Sequence, residues 1–173
     1  TRGAAKALGT YAALTEDDTY YEEIADLYLE AGDYEESGRF YDLAIGTSGA
    51  NDRLLYMRGT CNMLLGRYAE AVEDFAASAM PGSVYSHGVC AMALGDFEQA
   101  ETCFAEAMER GEQENDARMM LAVCRLEGGA YAEAEELLDQ YMAAGGNYAD
   151  IAYYRANARA MQKNYAGAAG DYA

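Results

Sequence analysis

Tryptophan is absent from this chain of 173 residues, proline and histidine occur once each, and cations are few. Each shortage excludes something. Twelve Lys and Arg stand against thirty Asp and Glu, giving a formal net charge of −18. A surface this acidic repels phosphate, so nucleic acid and anionic membrane are excluded as ligands, whereas a basic partner would be steered in. No run of eighteen apolar residues occurs, so no transmembrane helix is expected. No charged-then-apolar leader opens the sequence either, although a leader removed earlier would leave no trace. The single histidine, His87, cannot be assembled into a Ser-His-Asp order, and no glycine loop resembles a phosphate cradle. Four cysteines show no C-x-x-C spacing, so neither a zinc site nor a redox dithiol is expected. The scarcity of proline leaves helices uninterrupted, and a hydrophobic fraction of 51% is ample for a core.

What is present is a phrase that returns. "GDYEESGRFYDLA" at Gly32–Ala44 is echoed by "GRYAEAVEDFAAS", "GDFEQAETCFAEA", "GAYAEAEELLDQY" and finally "KNYAGAAGDYA". The aromatic after the turn serves as a marker: Tyr34, Tyr68, Phe97, Tyr131 and Tyr165, at intervals of 34, 29, 34 and 34 residues (68−34, 97−68, 131−97, 165−131). Three residues beyond each marker stands a small residue: Ser37, Ala71, Ala100, Ala134 and Ala168. Four further on comes a bulky one: Tyr41, Phe75, Phe104, Leu138 and Tyr172. The next step of three reaches Ala44, Ser78 and Ala107, with Tyr141 as an exception. Steps of three and four keep these positions on one helical face. Nine residues before each marker is another small residue, Ala25, Gly59, Gly88, Ala122 or Ala156, inside an earlier apolar-periodic segment. Each unit therefore reads helix, short turn, helix, with turns at 32–33, 66–67, 95–96, 129–130 and 163–164. Gly32, Gly66, Gly95 and Gly129 supply the positive φ that ends the first helix, and Lys163-Asn164 replaces them in the last unit.

The pattern of small, glycine, aromatic and alanine positions at a period of 34 resembles the tetratricopeptide repeat (TPR) family. The resemblance runs from about Thr19 to Ala173 and implies an all-α fold, a right-handed α-solenoid of about five stacked helix-turn-helix units. The expected boundaries are residues 1–17 as an N-terminal helix, either a cap or the remnant of a preceding repeat, then 18–51, 52–80, 81–114, 115–148 and a truncated 149–173. Some family positions depart from the pattern: the late aromatic of the first helix is Tyr28 in the first unit but Asn62, Ala91, Arg125 and Arg159 in the others. The 29-residue interval is attributed to a second helix cut short before Pro81-Gly82. Because the sequence stops inside the fifth second-helix without a polar capping helix, it is expected to be a piece of a longer protein.

The resemblance further implies that the first helices line a concave wall that takes an extended peptide or a partner helix. The expected wall residues are Glu22, Asp26 and Glu30; then Tyr56, Thr60 and Met63; Tyr85, Val89 and Met92; Met119, Val123 and Leu126; and Tyr153, Asn157 and Ala160. This is an acidic end followed by a floor rich in Tyr and Met, residues suited to adaptable apolar contact. The three carboxylates at the acidic end are expected to form a solvated face of like charge rather than a cation site. The Lys/Asn/Arg clamp of the family's chaperone-cofactor members is absent, so acidic tails are not the expected ligand; a segment with apolar and some basic residues is. The expected function is a non-catalytic protein–protein interaction scaffold without cofactor or metal. The alternative is a sensory or substrate-recruiting module of a larger protein whose catalytic or DNA-binding domain lies outside this chain. Self-association through open solenoid ends is a third possibility.

Cys61, Cys90 and Cys124 occupy the same place in successive units. Equivalent points on adjacent repeats are separated by roughly a helix diameter, about 10 Å, whereas a disulfide needs Cα atoms within about 7 Å. Free thiols are therefore expected, which favours a reducing compartment such as the cytoplasm. All four cysteines should react with a thiol reagent in denaturant without reductant; a count of two or fewer would establish disulfides.

Overall fold

The computed structural model describes residues 1–15 and 17–172, so Glu16 of the "TEDD" segment and the last residue of the fifth phrase, Ala173, lie outside it. Every regular element among the described residues is helical. In chain order these are α1 (Arg2–Thr15), α2 (Tyr21–Glu30), α3 (Tyr34–Ser48), α4 (Asp52–Leu64), α5 (Tyr68–Ala77), α6 (Ser83–Ala93), α7 (Phe97–Glu109), α8 (Glu114–Glu127), α9 (Tyr131–Ala143), α10 (Tyr148–Met161) and α11 (Tyr165–Asp171), with one 3-10 turn at Asp18–Tyr20. The five turns inside the pairs fall where the marker spacing puts them.

The helix ends follow from local chemistry. Gly32, Gly66, Gly95 and Gly129 have φ between 73° and 79°. The amide that follows each glycine turns back to a carbonyl of the helix just ended, as in Asp33 N to Tyr28 O at 2.9 Å and Arg67 N to Asn62 O at 2.8 Å. This closes the carbonyls that a helix leaves open. In the last unit Lys163, not Asn164, takes the positive φ, at 64°. Asn164 instead opens α11, its side-chain oxygen accepting from Gly167 N at 3.0 Å. Asn51 and Asp96 cap α4 and α7 in the same way.

The chain divides into two compact units, residues 1–83 and 84–173. In the first, α1 packs on α2 through Ala5 and Ala12, and Ile24, Tyr41, Leu54 and Cys61 form the centre of the core. In the second, Phe104, Leu121 and Cys124 form one cluster, and Ala122, Leu138, Tyr141 and Ile151 another. The small and bulky positions meet within each pair. A Cβ placed on Gly59 would stand 3.1 Å from the Phe75 ring, and one on Gly88 only 2.9 Å from the Phe104 ring and 3.0 Å from Cys103 Cβ. Ala71, Ala100 and Ala134 are fully buried on the facing helices. The Tyr141 exception is absorbed by the loop that follows: the Tyr141 ring lies where a side chain at Gly146 would be. The short interval comes from both helices it contains: α5 spans ten residues against thirteen in α7 and α9, and α6 eleven against fourteen in α8 and α10. The second helix of that unit is cut short as expected. It ends at Ser78, whose hydroxyl donates to Asp52 O at 2.8 Å, and Pro81 follows in the turn rather than in the helix.

Gly88→Ala should therefore destabilise the protein by about 1–3 kcal/mol through overpacking. Gly46→Ala, in the last turn of α3 with open space around the site, should stabilise it by at most roughly 0.5–1 kcal/mol. Urea unfolding of the two variants tests both signs.

Candidate functional site

In each pair the residue twelve before the marker lies on the first helix. Tyr56 sits edge-on to Phe75, with ring centroids 5.6 Å apart, and Tyr85 leans on Phe104 at the same distance. Met119 packs at the edge of the cluster around Leu138, and Tyr153, 63% exposed, stands against Tyr154. These side chains each have one edge on the core and another open to solvent. Thr60, Met63, Val89, Met92, Val123 and Asn157 are likewise half-buried. Leu126 differs from its expected place on the wall: it is 7% exposed and packs with Ala134 and Ala158, because α9 and α10 close over it.

The acidic end also differs from expectation. Glu22 and Asp26 do not form a bare face of like charge: Arg53 of α4 reaches back to pair with both, at 2.7 Å to Asp26. Tyr41 donates its hydroxyl to the other Asp26 oxygen at 2.5 Å. Burial, then the bond to Asp26, pushes the Tyr41 hydroxyl pKa well above its ordinary range. Of the three expected carboxylates, Glu30 is the one that is exposed rather than half-buried.

Several arginines of the first helices, including Arg125 and Arg159 at the late-aromatic position, are paired with carboxylates. Arg58 donates to the buried Asp74 of its own pair at 2.6 Å and to Asp42 of the preceding pair at 2.7 Å. Arg155 repeats this arrangement with Asp171 at 2.7 Å and Asp139 at 2.8 Å. Arg159 adds a second bond to Asp171, at 2.8 Å, and one to Glu135, at 2.7 Å; Arg125 pairs with Glu101 at 3.2 Å. Arg58, Asp74 and Asp42 are each 97 residues from Arg155, Asp171 and Asp139 (155−58, 171−74, 139−42). That constant offset is the sequence signal that could have identified the bridge.

All four thiols are buried and outside any disulfide, and burial pushes the pKa of Cys90 and Cys124 up to about 11. His87 is half-buried, and burial lowers its pKa. Among the described residues no group of three or more His, Cys, Asp or Glu is placed to hold a metal ion, and no helix is long and apolar enough to cross a membrane.

At Asp171, burial alone would raise the carboxyl pKa, but the hydrogen bond and charge of Arg155 and the charge of Arg159 outweigh it and hold the pKa below its ordinary 3.8. A depressed folded-state pKa contributes stability that is complete above the ordinary value and is lost as the pH falls through the depressed one. The anchoring of α11 should thus loosen in acid, seen as faster amide exchange, and Asp171→Asn should remove this dependence. Asp74→Asn leaves Arg58 with only its exposed partner and should cost roughly 2–3 kcal/mol in urea unfolding.

No curated protein matches the chain in sequence. Several solved structures share its fold. The MamA protein superposes with a TM-score of 0.82 at 17% identity, over 91% of this chain and 89% of that one. YrrB, described as a TPR protein with an unusual peptide-binding site, gives 0.79 at 22% identity over 96% and 89%. A tetratricopeptide repeat protein from Parabacteroides merdae gives 0.76 at 19% identity over 97% and 69%. Family models described as tetratricopeptide repeat match residues 18–51 and 85–149. Paired helices, glycine-ended first helices, small-against-bulky contacts and these matches agree: the chain belongs to the tetratricopeptide-repeat family.

Proposed function

We propose that this protein is a non-catalytic scaffold whose first-helix faces bind a protein segment carrying apolar side chains and some positive charge. The observation that carries this reading is the set Tyr85, Met119 and Tyr153 in the unit formed by residues 84–173, with Tyr56 holding the same repeat position in the other unit. One large side chain per helix is braced from behind by the core yet open in front. Held this way, an anchor loses little freedom when a ligand covers it. A peptide-binding site in a protein of the same fold, YrrB, lends support by analogy. The net charge of −18 supplies long-range attraction for a basic segment. With Glu22 and Asp26 held by Arg53, local steering at that end falls to the exposed carboxylates Glu23 and Glu30.

With a partner captured and purified, Met119→Ala and Tyr153→Ala should each weaken binding by roughly 1–2 kcal/mol, mainly by raising the off-rate. Glu30→Lys should lower the on-rate at low ionic strength and lose its effect in high salt. Unchanged affinity in a folded Met119→Ala/Tyr153→Ala double variant would remove the first-helix faces from consideration.

A further inference from the structure

Two grooves in the unit formed by residues 1–83 hold the same place in the repeat but have opposite chemistry. One runs between α3 and α5 over α4, the other between α1 and α3 over α2. The α3/α5 groove is floored by a polar network: Arg58 donates to Asp74 at 2.6 Å, and Asn62 donates to the same carboxylate at 3.3 Å. One period earlier the same three positions are Ile24, Phe40 and Tyr28 (58−24, 74−40 and 62−28 all equal 34). Phe40 stacks on Tyr28, with ring centroids 5.7 Å apart, and tilts against Tyr21. Apolar contact has replaced the ion pair there. The α1/α3 groove has a volume of about 520 Å³, and Leu14 and Leu43, both exposed, line it as well.

The charge changes with the floor. Glu35, Glu36, Asp42, Glu70, Glu73 and Asp74 all line the α3/α5 groove. No carboxylate lines the α1/α3 groove, whose ionic residues are Lys6 and Arg39, in a chain of net charge −18. Arg39 stands one period before Glu73, its guanidinium 4.5 Å over the Phe40 ring and paired with Glu36. Lys6 has no carboxylate partner among the described residues. An apolar recess with a few placed polar groups is the usual form of a binding site.

The repeat also shows that this groove is not a seat for another helix of the array. α1 packs on α2 as α3 packs on α4, so α1, α2 and α3 succeed one another as α3, α4 and α5 do. The α3/α5 groove is open although α2 precedes it, and no residue of α2 lines it. A helix standing before α1 as α2 stands before α3 would likewise leave the α1/α3 groove open.

We propose that the α1/α3 groove binds an acidic segment of a partner protein, one with Leu or Phe side chains set among Asp and Glu. Its apolar side chains cover Leu14, Phe40 and Leu43, and its carboxylates meet Lys6 and Arg39. The net negative field of the protein opposes the approach of such a segment, so selection rests on these short-range pairs. A basic segment is rejected because its cations would face Lys6 and Arg39 at close range. This surface is separate from the first-helix faces around Met119 and Tyr153, whose ligand carries the opposite charge.

The probe is a fluorescein-labelled amphipathic peptide made of Leu, Phe and Glu, with a counterpart carrying Lys in place of Glu. Each is titrated into the full chain and followed by anisotropy. The acidic peptide should bind, and Lys6→Glu and Leu43→Ser should each weaken it by roughly tenfold or more. Both side chains are exposed, so both variants should keep the fold. The Met119→Ala/Tyr153→Ala double variant should bind the acidic peptide unchanged, which separates this groove from the first-helix faces. An acidic peptide that does not bind, or that binds both groove variants as tightly as the original chain, would overturn the groove. A lysine peptide that Leu43→Ser weakens as strongly would overturn the charge preference. Sedimentation of the chain alone tests the remaining occupant: a dimer abolished by Leu43→Ser would put a second copy, not a partner protein, in the groove.

Discussion

Everything else in this molecule depends on how closely two helices approach at one small residue. Gly59 and Gly88 leave no room for a Cβ beside Phe75 and Phe104, and Ala25, Ala122 and Ala156 are buried at the same position elsewhere. With the first helix drawn in, the bulky residue of the second can be enclosed, and the alanine four residues before it meets the neighbouring backbone. A larger residue at the small position would part the pair and expose a ring that is among the largest fully buried side chains of the protein, as Phe75 and Phe104 are. The glycine-ended turn is secondary to this contact: it reverses the chain within three residues, so the second helix starts alongside the first.

On that framework the electrostatics explain an apparent paradox. The chain is strongly acidic, yet each of its arginines lies within ion-pairing distance of a carboxylate. Several of these pairs join one helix pair to the next, two of them, from Arg125 and Arg159, at the position where the family pattern places an aromatic. Arg58, Arg155 and Arg159 have side chains only 15–27% exposed, and their partners Asp74 and Asp171 are nearly inaccessible. Buried pairs of this kind contribute less net stability than apolar packing of the same volume would, but a mismatched partner is strongly penalised. The carboxylates left over cover the exterior and give the protein its field.

The binding reading follows from the same division of labour. On second helices the bulky residues Tyr41, Phe104 and Leu138, seven past the marker, are buried in the core. On first helices the residues twelve before the marker, such as Tyr85 and Tyr153, keep one edge open. Rigid, half-exposed aromatics lose little entropy on contact, and interface energy concentrates in such residues.

The sequence by itself determined the helix pairs, their turns and the identity of the small and bulky faces, because these rest on contacts between residues a few positions apart and on a repeat that shows the same contact five times. It also contained the reason for the short α5, since Pro81 and Gly82 cannot extend a helix. The tertiary structure alone decided which polar residues are surface. Glu22 and Asp26 are partly exposed but paired with Arg53, 31 and 27 residues away, and Leu126 leaves the open face because α9 and α10 enclose it. Such pairings depend on where neighbouring helices come to lie once their small residues have met. An ion pair or a closed apolar contact falls off steeply over an ångström or two, finer than any periodicity along the chain can resolve.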